Sequence, residues 1–195
     1  MGNHRGFTLV ELLVGVLAFA LFAVGVQQFT RTMLRGVRVL EAAAEAQEAA
    51  RLGVQLIAGD LRDAGFSPTG ALGNGLRRAA PDAVALVRDL NGDGDSDDAN
   101  EAVAYQYAAD RRCLLRAPGG APPQPLLNDV PDGGVRFSFV GADGGAFAGG
   151  ELDPAARALV RRVVVRFVVE VANPDPADSR PLRAEQQATV VLRNG

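Results

Sequence analysis

The feature that most constrains this chain is an apolar run close to its N-terminus. Between residues 7 and 26 the only polar side chains are Thr8 and Glu11. A helix of about twenty residues is roughly 30 Å long, which is the thickness of the hydrocarbon core of a bilayer. The run therefore predicts a membrane-spanning helix.

The helical pattern continues beyond the apolar run, because no strong helix breaker interrupts it. All 11 prolines lie at Pro68 or later, and Gly65 followed by Pro68 is a typical helix stop. The sequence thus predicts one helix from about residue 7 to 64, with an amphipathic second half. Apolar side chains recur there every three or four residues and share one face, at Val39, Ala43, Ala46, Ala50, Val54, Ile57, Leu61 and Ala64.

Composition argues against several classes of protein. The 195 residues include 20 Lys and Arg against 23 Asp and Glu, a net charge of −3, so no basic excess exists to neutralise a nucleic-acid backbone. The single cysteine, Cys113, cannot form an internal disulfide. The single histidine, His4, cannot build a histidine-rich metal centre and argues against a buried Ser-His-Asp triad. We expect neither a nucleic-acid partner nor an enzyme.

Residues 67–195 predict a β-rich globular domain. An antiparallel sheet is expected to pack on the second half of the helix, with a central strand at 163–171 and a hairpin connection at 108–112. We expect Cys113, Tyr105 and Tyr107 to be packing residues. Strand patterns occur at 84–87, 102–107, 113–115, 135–140, 163–171 and 189–192, and turn formers predict loops at 119–125, 141–150 and 173–181.

Glu11 is the most informative single residue. A carboxylate inside an apolar helix costs about 2.5–3.5 kcal/mol on insertion scales, so an intramembrane acid indicates a function by default. The residues alone leave two alternatives. Glu11 lies near the membrane interface and is partly solvated, or the run is a secretory signal peptide with a small-x-small cleavage site at Ala23 to Gly25.

The segment around Glu11 resembles a known processing signal. Residues 4–14, HRGFTLVELLV, are similar to the class III signal of type IV pilins and type II secretion pseudopilins. The resemblance implies that a prepilin peptidase cuts between Gly6 and Phe7 and methylates the new N-terminus of Phe7. It also implies that Glu11 pairs with the N-terminal amine of a neighbouring subunit during assembly, which removes the cost of two unpaired charges in lipid.

Looser similarities extend along the chain. The helix end at 50–66 and the segments 105–107, 114–116, 125–130 and 190–194 resemble PilW-type minor pilins, to which GspJ-like pseudopilins are related. Many major pilins carry a helix-kinking proline and a C-terminal disulfide. This chain has Gln28 at the place of that proline and a single cysteine, which favours a minor pilin or pseudopilin over the bulk filament subunit.

The resemblance implies an α+β, type IV pilin-like fold in four segments: a leader (1–6), the transmembrane and assembly half of the helix (7–30), its amphipathic half (31–66) and a globular pilin domain (67–195). The expected function is that of a minor pilin of a type IV pilus, in the filament or its tip or initiation complex. One alternative is a GspJ-like minor pseudopilin of a type II secretion system. Another is a membrane-tethered calcium-binding module that does not polymerise.

The resemblance also implies partners and a location. The partners are other pilins and minor pilins, the prepilin peptidase, the inner-membrane assembly platform and lipid. Before assembly the chain would cross the bacterial inner membrane once, with the N-terminus in the cytoplasm and the globular domain in the periplasm. It would then move to the pilus and cell surface or to a periplasmic pseudopilus. The arginines at 31, 35 and 38 would by the positive-inside rule favour the opposite orientation, but cleavage after Gly6 requires this one.

One loop is a candidate metal site. Residues 89–101, DLNGDGDSDDANE, place oxygen ligands at relative positions 1, 3, 5 and 9 with Gly94 at 6, as at the front of an EF-hand calcium loop. Asn100 occupies position 12, Glu101 comes one place late, and no helix pattern flanks the loop. The sequence leaves two interpretations, a structural or regulatory calcium site and a solvated acidic hairpin loop. The candidate ligands are Asp89, Asn91, Asp93, Asp95, Asp97 and Glu101.

Overall fold

The computed structural model of the chain describes residues 8–70 and 72–193. One helix, α1, runs without a break over Leu9–Asp63, which is 55 residues. The prediction of a continuous helix is therefore confirmed. The leader and the predicted cleavage between Gly6 and Phe7 lie outside the described residues.

Helix α1 ends where two backbone segments cross in close contact. Gly65 has a φ of +71°, and a Cβ atom there would lie 2.1 Å from the carbonyl oxygen of Gly73. A Cβ atom on Gly75, with a φ of +72°, would lie 2.0 Å from the nitrogen of Gly65. The crossing is held by hydrogen bonds from Gly65 N to Val87 O and from Val87 N to Gly75 O, both of 2.8 Å. Only glycine fits at these two positions.

The strands of the described residues form two antiparallel sheets, where the sequence predicted one. The first sheet has the order β1-β2-β3-β4-β5, and the second has the order β6-β7-β8. A 3-10 turn, Ala109–Arg111, joins β3 to β4 in the predicted hairpin position, and a short helix, α2 (Pro154–Ala158), precedes β7. The strands are β1 (Leu76–Ala80), β2 (Ala83–Val87), β3 (Ala102–Ala108), β4 (Cys113–Pro118), β5 (Gln124–Leu127), β6 (Val135–Gly141), β7 (Val160–Val171) and β8 (Leu182–Val191).

Five of the six predicted strands agree with β2, β3, β4, β6 and β7, and β7 is central in its sheet as expected. Two strands were missed. β1 has the sequence LRRAA, which lacks β-branched residues, and β5 lies partly in a predicted loop because it contains Pro125. A proline is tolerated there because β5 is an edge strand. β8 begins at Leu182, so the predicted start of this strand at residue 189 was wrong. The first half of β8 is polar and lacks the apolar pattern of a buried strand.

The second half of α1 packs on the second sheet. Its contacts are chiefly with β7 and β8, and fewer are with β5. A Cβ atom on Gly53 would meet Leu127 of β5 at 3.5 Å and the ring of Phe167 of β7 at 3.8 Å. Most of the predicted apolar face is buried, and small residues there allow the helix to approach the strands closely: Ala46, Ala50, Gly53, Val54, Ile57, Ala58, Leu61 and Ala64 are buried.

A buried polar cluster joins α1 to the first sheet. Asp60 of the helix is 8% exposed. Its Oδ1 accepts a hydrogen bond from Nη1 of Arg88 at 3.3 Å, and its Oδ2 accepts one from Nη2 of Arg116 at 3.2 Å and another from the Tyr105 hydroxyl. Arg116 Nε donates to the Tyr105 hydroxyl oxygen at 3.0 Å. The carboxylate thus has charged partners that compensate for its loss of water.

Removing this carboxylate is expected to destabilise the protein strongly. Asp60→Ala leaves the Arg116 guanidinium and the Tyr105 hydroxyl without their carboxylate partner and leaves Arg88 only the exposed Asp63. This loss costs about 3–5 kcal/mol of unfolding free energy. Asp63→Ala is the matched control, because Asp63 lies 3.6 Å from the same Arg88 but its side chain is 60% exposed. We expect its cost to stay below about 1 kcal/mol. Urea unfolding of the full chain in detergent micelles, followed by circular dichroism, measures both; equal costs would contradict the buried cluster.

The two tyrosines should titrate well above their ordinary range. Burial and the hydrogen bond to Asp60 raise the pKa of Tyr105. Burial and the hydrogen bond to Asp132, of 2.9 Å, raise the pKa of Tyr107 to about 12. Because both values in the folded state exceed that of the unfolded state, the tyrosines favour folding at neutral pH and this contribution is lost as the pH rises toward 12.

Absorbance at 295 nm measures this titration directly, since the chain has two tyrosines and no tryptophan. In the folded chain we expect little tyrosinate below about pH 11, and in urea a midpoint near pH 10. Tyr107→Phe should remove the lower of the two folded-state transitions. A folded-state midpoint near 10 for either residue would contradict the contacts described above.

Candidate functional site

The first part of α1 has no partner within the described chain. Every residue from 8 to 38 is exposed, and burial begins only at Val39. The exposed side chains include many large apolar ones, such as Leu13, Leu17 and Phe22, each at least 60% exposed. Among the described residues this is the one helix long and apolar enough to cross a membrane. An apolar surface of this size requires lipid or other helices to cover it.

Glu11 closes the first turn of this helix. Its backbone N–H donates to Thr8 Oγ1 at 3.2 Å, and its Oε2 accepts hydrogen bonds from Thr8 N and Thr8 Oγ1, both at 3.0 Å. This is a capping box, which satisfies backbone N–H groups that would otherwise lack partners in an apolar environment. The role of Thr8 was not predicted from the sequence, although the Thr-x-x-Glu spacing before an apolar run is the signal for a capping box.

The surface beside Glu11 is open. Gly15 lies one turn further along the same face, and a Cβ atom placed on it would find nothing within 4 Å. Together with Leu12, Val16 and Phe19, the two residues line a shallow groove. A neighbouring chain can therefore approach the Glu11 carboxylate from this side without meeting a side chain at position 15.

The acidic loop, residues 89–101, connects β2 to β3, so strands flank it as the sequence indicated. Its first and last residues are buried. Asp89 Oδ1 accepts a hydrogen bond from Gly92 N at 2.6 Å, and its Oδ2 accepts from Gly94 N and from Ser67 Oγ, both at 3.1 Å. Glu101 Oε1 accepts from the N–H groups of residues 90 and 91 at 2.7 and 3.2 Å. These two carboxylates shape the loop from within.

The exposed members of the loop are linked by further hydrogen bonds. Asn91 Nδ2 donates to Asp93 at 2.9 Å and to Asp98 at 2.6 Å. The backbone N–H groups of Asp95 and Asp97 donate to Asp93 Oδ1 and Asp95 Oδ1 in turn. The N–H of Asp95 and the Asn91 amide lower the pKa of Asp93, whereas the negative charge of Asp93, followed by burial and the other acids, raises the pKa of Asp98.

The structure brings three of the six predicted ligands together. One carboxylate oxygen from each of Asp93, Asp95 and Glu101 lies within 4.8 Å of the other two. Glu101 joins this group although it is one place late for an EF-hand. Of the other acidic candidates, Asp89 and Asp97 do not belong to this group.

Comparison with known proteins concerns mainly the start of the chain. Residues 1–26 match the family described as the prokaryotic N-terminal methylation motif. Among solved structures, a type IV-like pilin from Thermus thermophilus is similar with a TM-score of 0.49 and 13% sequence identity, over 75% of this chain and 95% of that chain. No curated protein matches the chain significantly.

The N-terminal motif is continuous with the long helix. Residues 1–26 match the prokaryotic N-terminal methylation motif, α1 begins within them at Leu9, and the second half of α1 packs on antiparallel strands. In its signal segment the chain is similar to type IV pilins, as its first residues indicated. The motif and the apolar helix that follows it fit a pilin anchored in the inner membrane.

Proposed function

We propose that this protein is a minor pilin of the PilW type, which acts by assembly into a type IV pilus or its tip complex and not by catalysis. The observation that carries the proposal is the unpartnered helix surface of residues 8–38, which contains Glu11 and includes residues 8–26 of the methylation motif. A soluble domain would gain nothing from thirty exposed helical residues of this composition. A subunit of a helical filament needs them to pack against its neighbours.

Processing and assembly follow from the chemistry of the N-terminus. Cleavage between Gly6 and Phe7 would leave a charged amine at the start of an apolar helix. Glu11 carries the opposite charge four residues further on, and Gly15 leaves its flank open. Lipid offers no partner to either charge. When the amine of one subunit pairs with the carboxylate of another, the interaction offsets the desolvation cost of both charges. This pairing would set the axial register between neighbouring subunits.

The expected partners are other pilins and minor pilins, the prepilin peptidase and the inner-membrane assembly platform, with the globular domain in the periplasm before assembly. A GspJ-like minor pseudopilin would use the same helix and the same Glu11 chemistry in a secretion system. The two hypotheses, a pilus subunit and a pseudopilin, predict different locations for the subunit. A pilus subunit appears in filaments sheared from the cell surface, and a pseudopilin stays in the cell envelope.

Glu11→Ala tests the assembly mechanism. We expect this variant to fall at least about tenfold in the sheared-filament fraction of its native host, because a buried amine is left without its counter-charge. Glu45→Ala removes a carboxylate from the exposed side of the same helix and should incorporate normally. Thr8→Ala removes the capping box but keeps the Glu11 charge, so it separates helix capping from pairing between subunits. We expect at most a severalfold loss for this variant, since a cap contributes about 1 kcal/mol.

Intact mass completes the experiment. Protein from the membrane and filament fractions should begin at a methylated Phe7, in the wild type and in all three variants. A chain that begins at Val26, or one that keeps Met1, would contradict the processing step. Normal incorporation of Glu11→Ala would contradict the pairing between subunits.

A further inference from the structure

We propose that the acidic loop, residues 89–101, binds one Ca²⁺ ion through Asp93, Asp95 and Glu101. Their carboxylate oxygens lie within 4.8 Å of one another. Calcium binds oxygen at about 2.3–2.6 Å, so two ligands on opposite sides of the ion are roughly 4.6–5.2 Å apart. The three oxygens therefore already lie at separations that one calcium ion can bridge.

Glu101 provides an independent observation for a ligand. Glu101 is 2% exposed, and its Oε2 is buried with no hydrogen-bond partner among the described residues. Its other oxygen accepts two backbone N–H groups, which fixes the orientation of the carboxylate. A buried carboxylate oxygen without a partner is costly, and native proteins almost always satisfy such atoms. The carboxylate that lies beside Asp93 and Asp95 is therefore one that still lacks a partner for one of its oxygens.

The acidic group also has no basic side chain paired with it among the described residues. No arginine or lysine of the described residues forms an ion pair with Asp93, Asp95 or Glu101. The nearest basic residue along the chain, Arg88, pairs with Asp60 at 3.3 Å and Asp63 at 3.6 Å, and its Nε donates to the carbonyl oxygen of Asn100 at 3.0 Å. This contrasts with Asp60, whose carboxylate has two arginines. A divalent cation would balance the acidic group.

The donor set indicates calcium among the common metal ions. All the candidate ligands are oxygens, which suit hard cations, whereas zinc sites use cysteine and histidine. Positive φ angles at Gly92 (82°) and Gly94 (93°) let the loop curve tightly around a centre. Magnesium demands near-ideal octahedral geometry at shorter distances and keeps more of its water. A loop with several flexible oxygens suits the larger ion better.

The same loop is attached to the end of α1. Asp89 N donates to the carbonyl oxygen of Phe66 at 2.7 Å, and Ser67 Oγ donates to the Asp89 carboxylate at 3.1 Å. Arg88 N donates to the carbonyl oxygen of Glu101 at 2.8 Å. An ion held by Glu101 would therefore fix both ends of the loop against the segment that follows α1. Calcium in this position would stabilise the junction between the helix and the first sheet.

Calcium titration of the full chain in detergent micelles, after removal of metal with a chelator, tests the proposal. We expect calorimetry with CaCl₂ to show one site, and the melting temperature to rise with calcium concentration. MgCl₂ at the same concentration should give a smaller rise. Asp93→Asn, Asp95→Asn and Glu101→Gln should each weaken calcium binding by about tenfold or more, because each removes one charged ligand. Asp110→Asn, an exposed acid in the turn after β3, should bind calcium as the wild type does.

The aspartate variants keep the test decisive if Glu101→Gln fails to fold. Asp93 and Asp95 are largely exposed, so their replacement by asparagine leaves the core intact. Absence of calcium binding by the wild type at millimolar CaCl₂ would overturn the proposal. Wild-type affinity in the Asp93→Asn/Asp95→Asn double variant would overturn it as well, because the ion would then lie elsewhere.

Discussion

The whole structure depends on a helix that is longer than the domain it supports. Sheet residues cover α1 from about Ala46 to Ala64, and nothing in the described chain covers residues 8–38. The covered part uses alanine and glycine to bring the helix close to β7 and β8, whereas the uncovered part carries leucine, valine and phenylalanine. The division explains why one helix combines two surfaces of different chemistry. One is completed within the chain, and the other requires lipid or other subunits.

Three buried carboxylates near the end of this helix differ in how their charge is compensated. Asp60 has two arginines and a tyrosine hydroxyl, and Asp89 accepts two backbone N–H groups and a serine hydroxyl. Both are fully occupied and serve the fold. Glu101 is satisfied at one oxygen only. Since a native protein rarely leaves such an atom without a partner, the difference separates structural acids from a candidate ligand that composition alone could not distinguish.

Local patterns in the sequence were sufficient for the helix and for most strands, since periodicity and the position of Gly65 act within a few residues. They were insufficient for β5 and the first half of β8. Pro125 and the polar residues of β8 are acceptable because these strands lie at sheet edges, and edge position is a property of the whole fold. The acidic loop shows the same limit. The spacing identified the segment, but the path of the backbone decided that Glu101, at the thirteenth position, joins Asp93 and Asp95.

The crossing of Gly65 and Gly75 has a mechanical consequence. At that point the end of α1 and the entry to β1 touch through backbone atoms, with hydrogen bonds of 2.8 Å that run to Val87 of β2. No side chain lies between the two segments, so a change of rotamer cannot loosen their contact. Tension applied along the helix would therefore pass directly into the first sheet through peptide groups. A subunit pulled by its N-terminal helix would resist as one stiff body, and its first sheet would bear the load together with its helix.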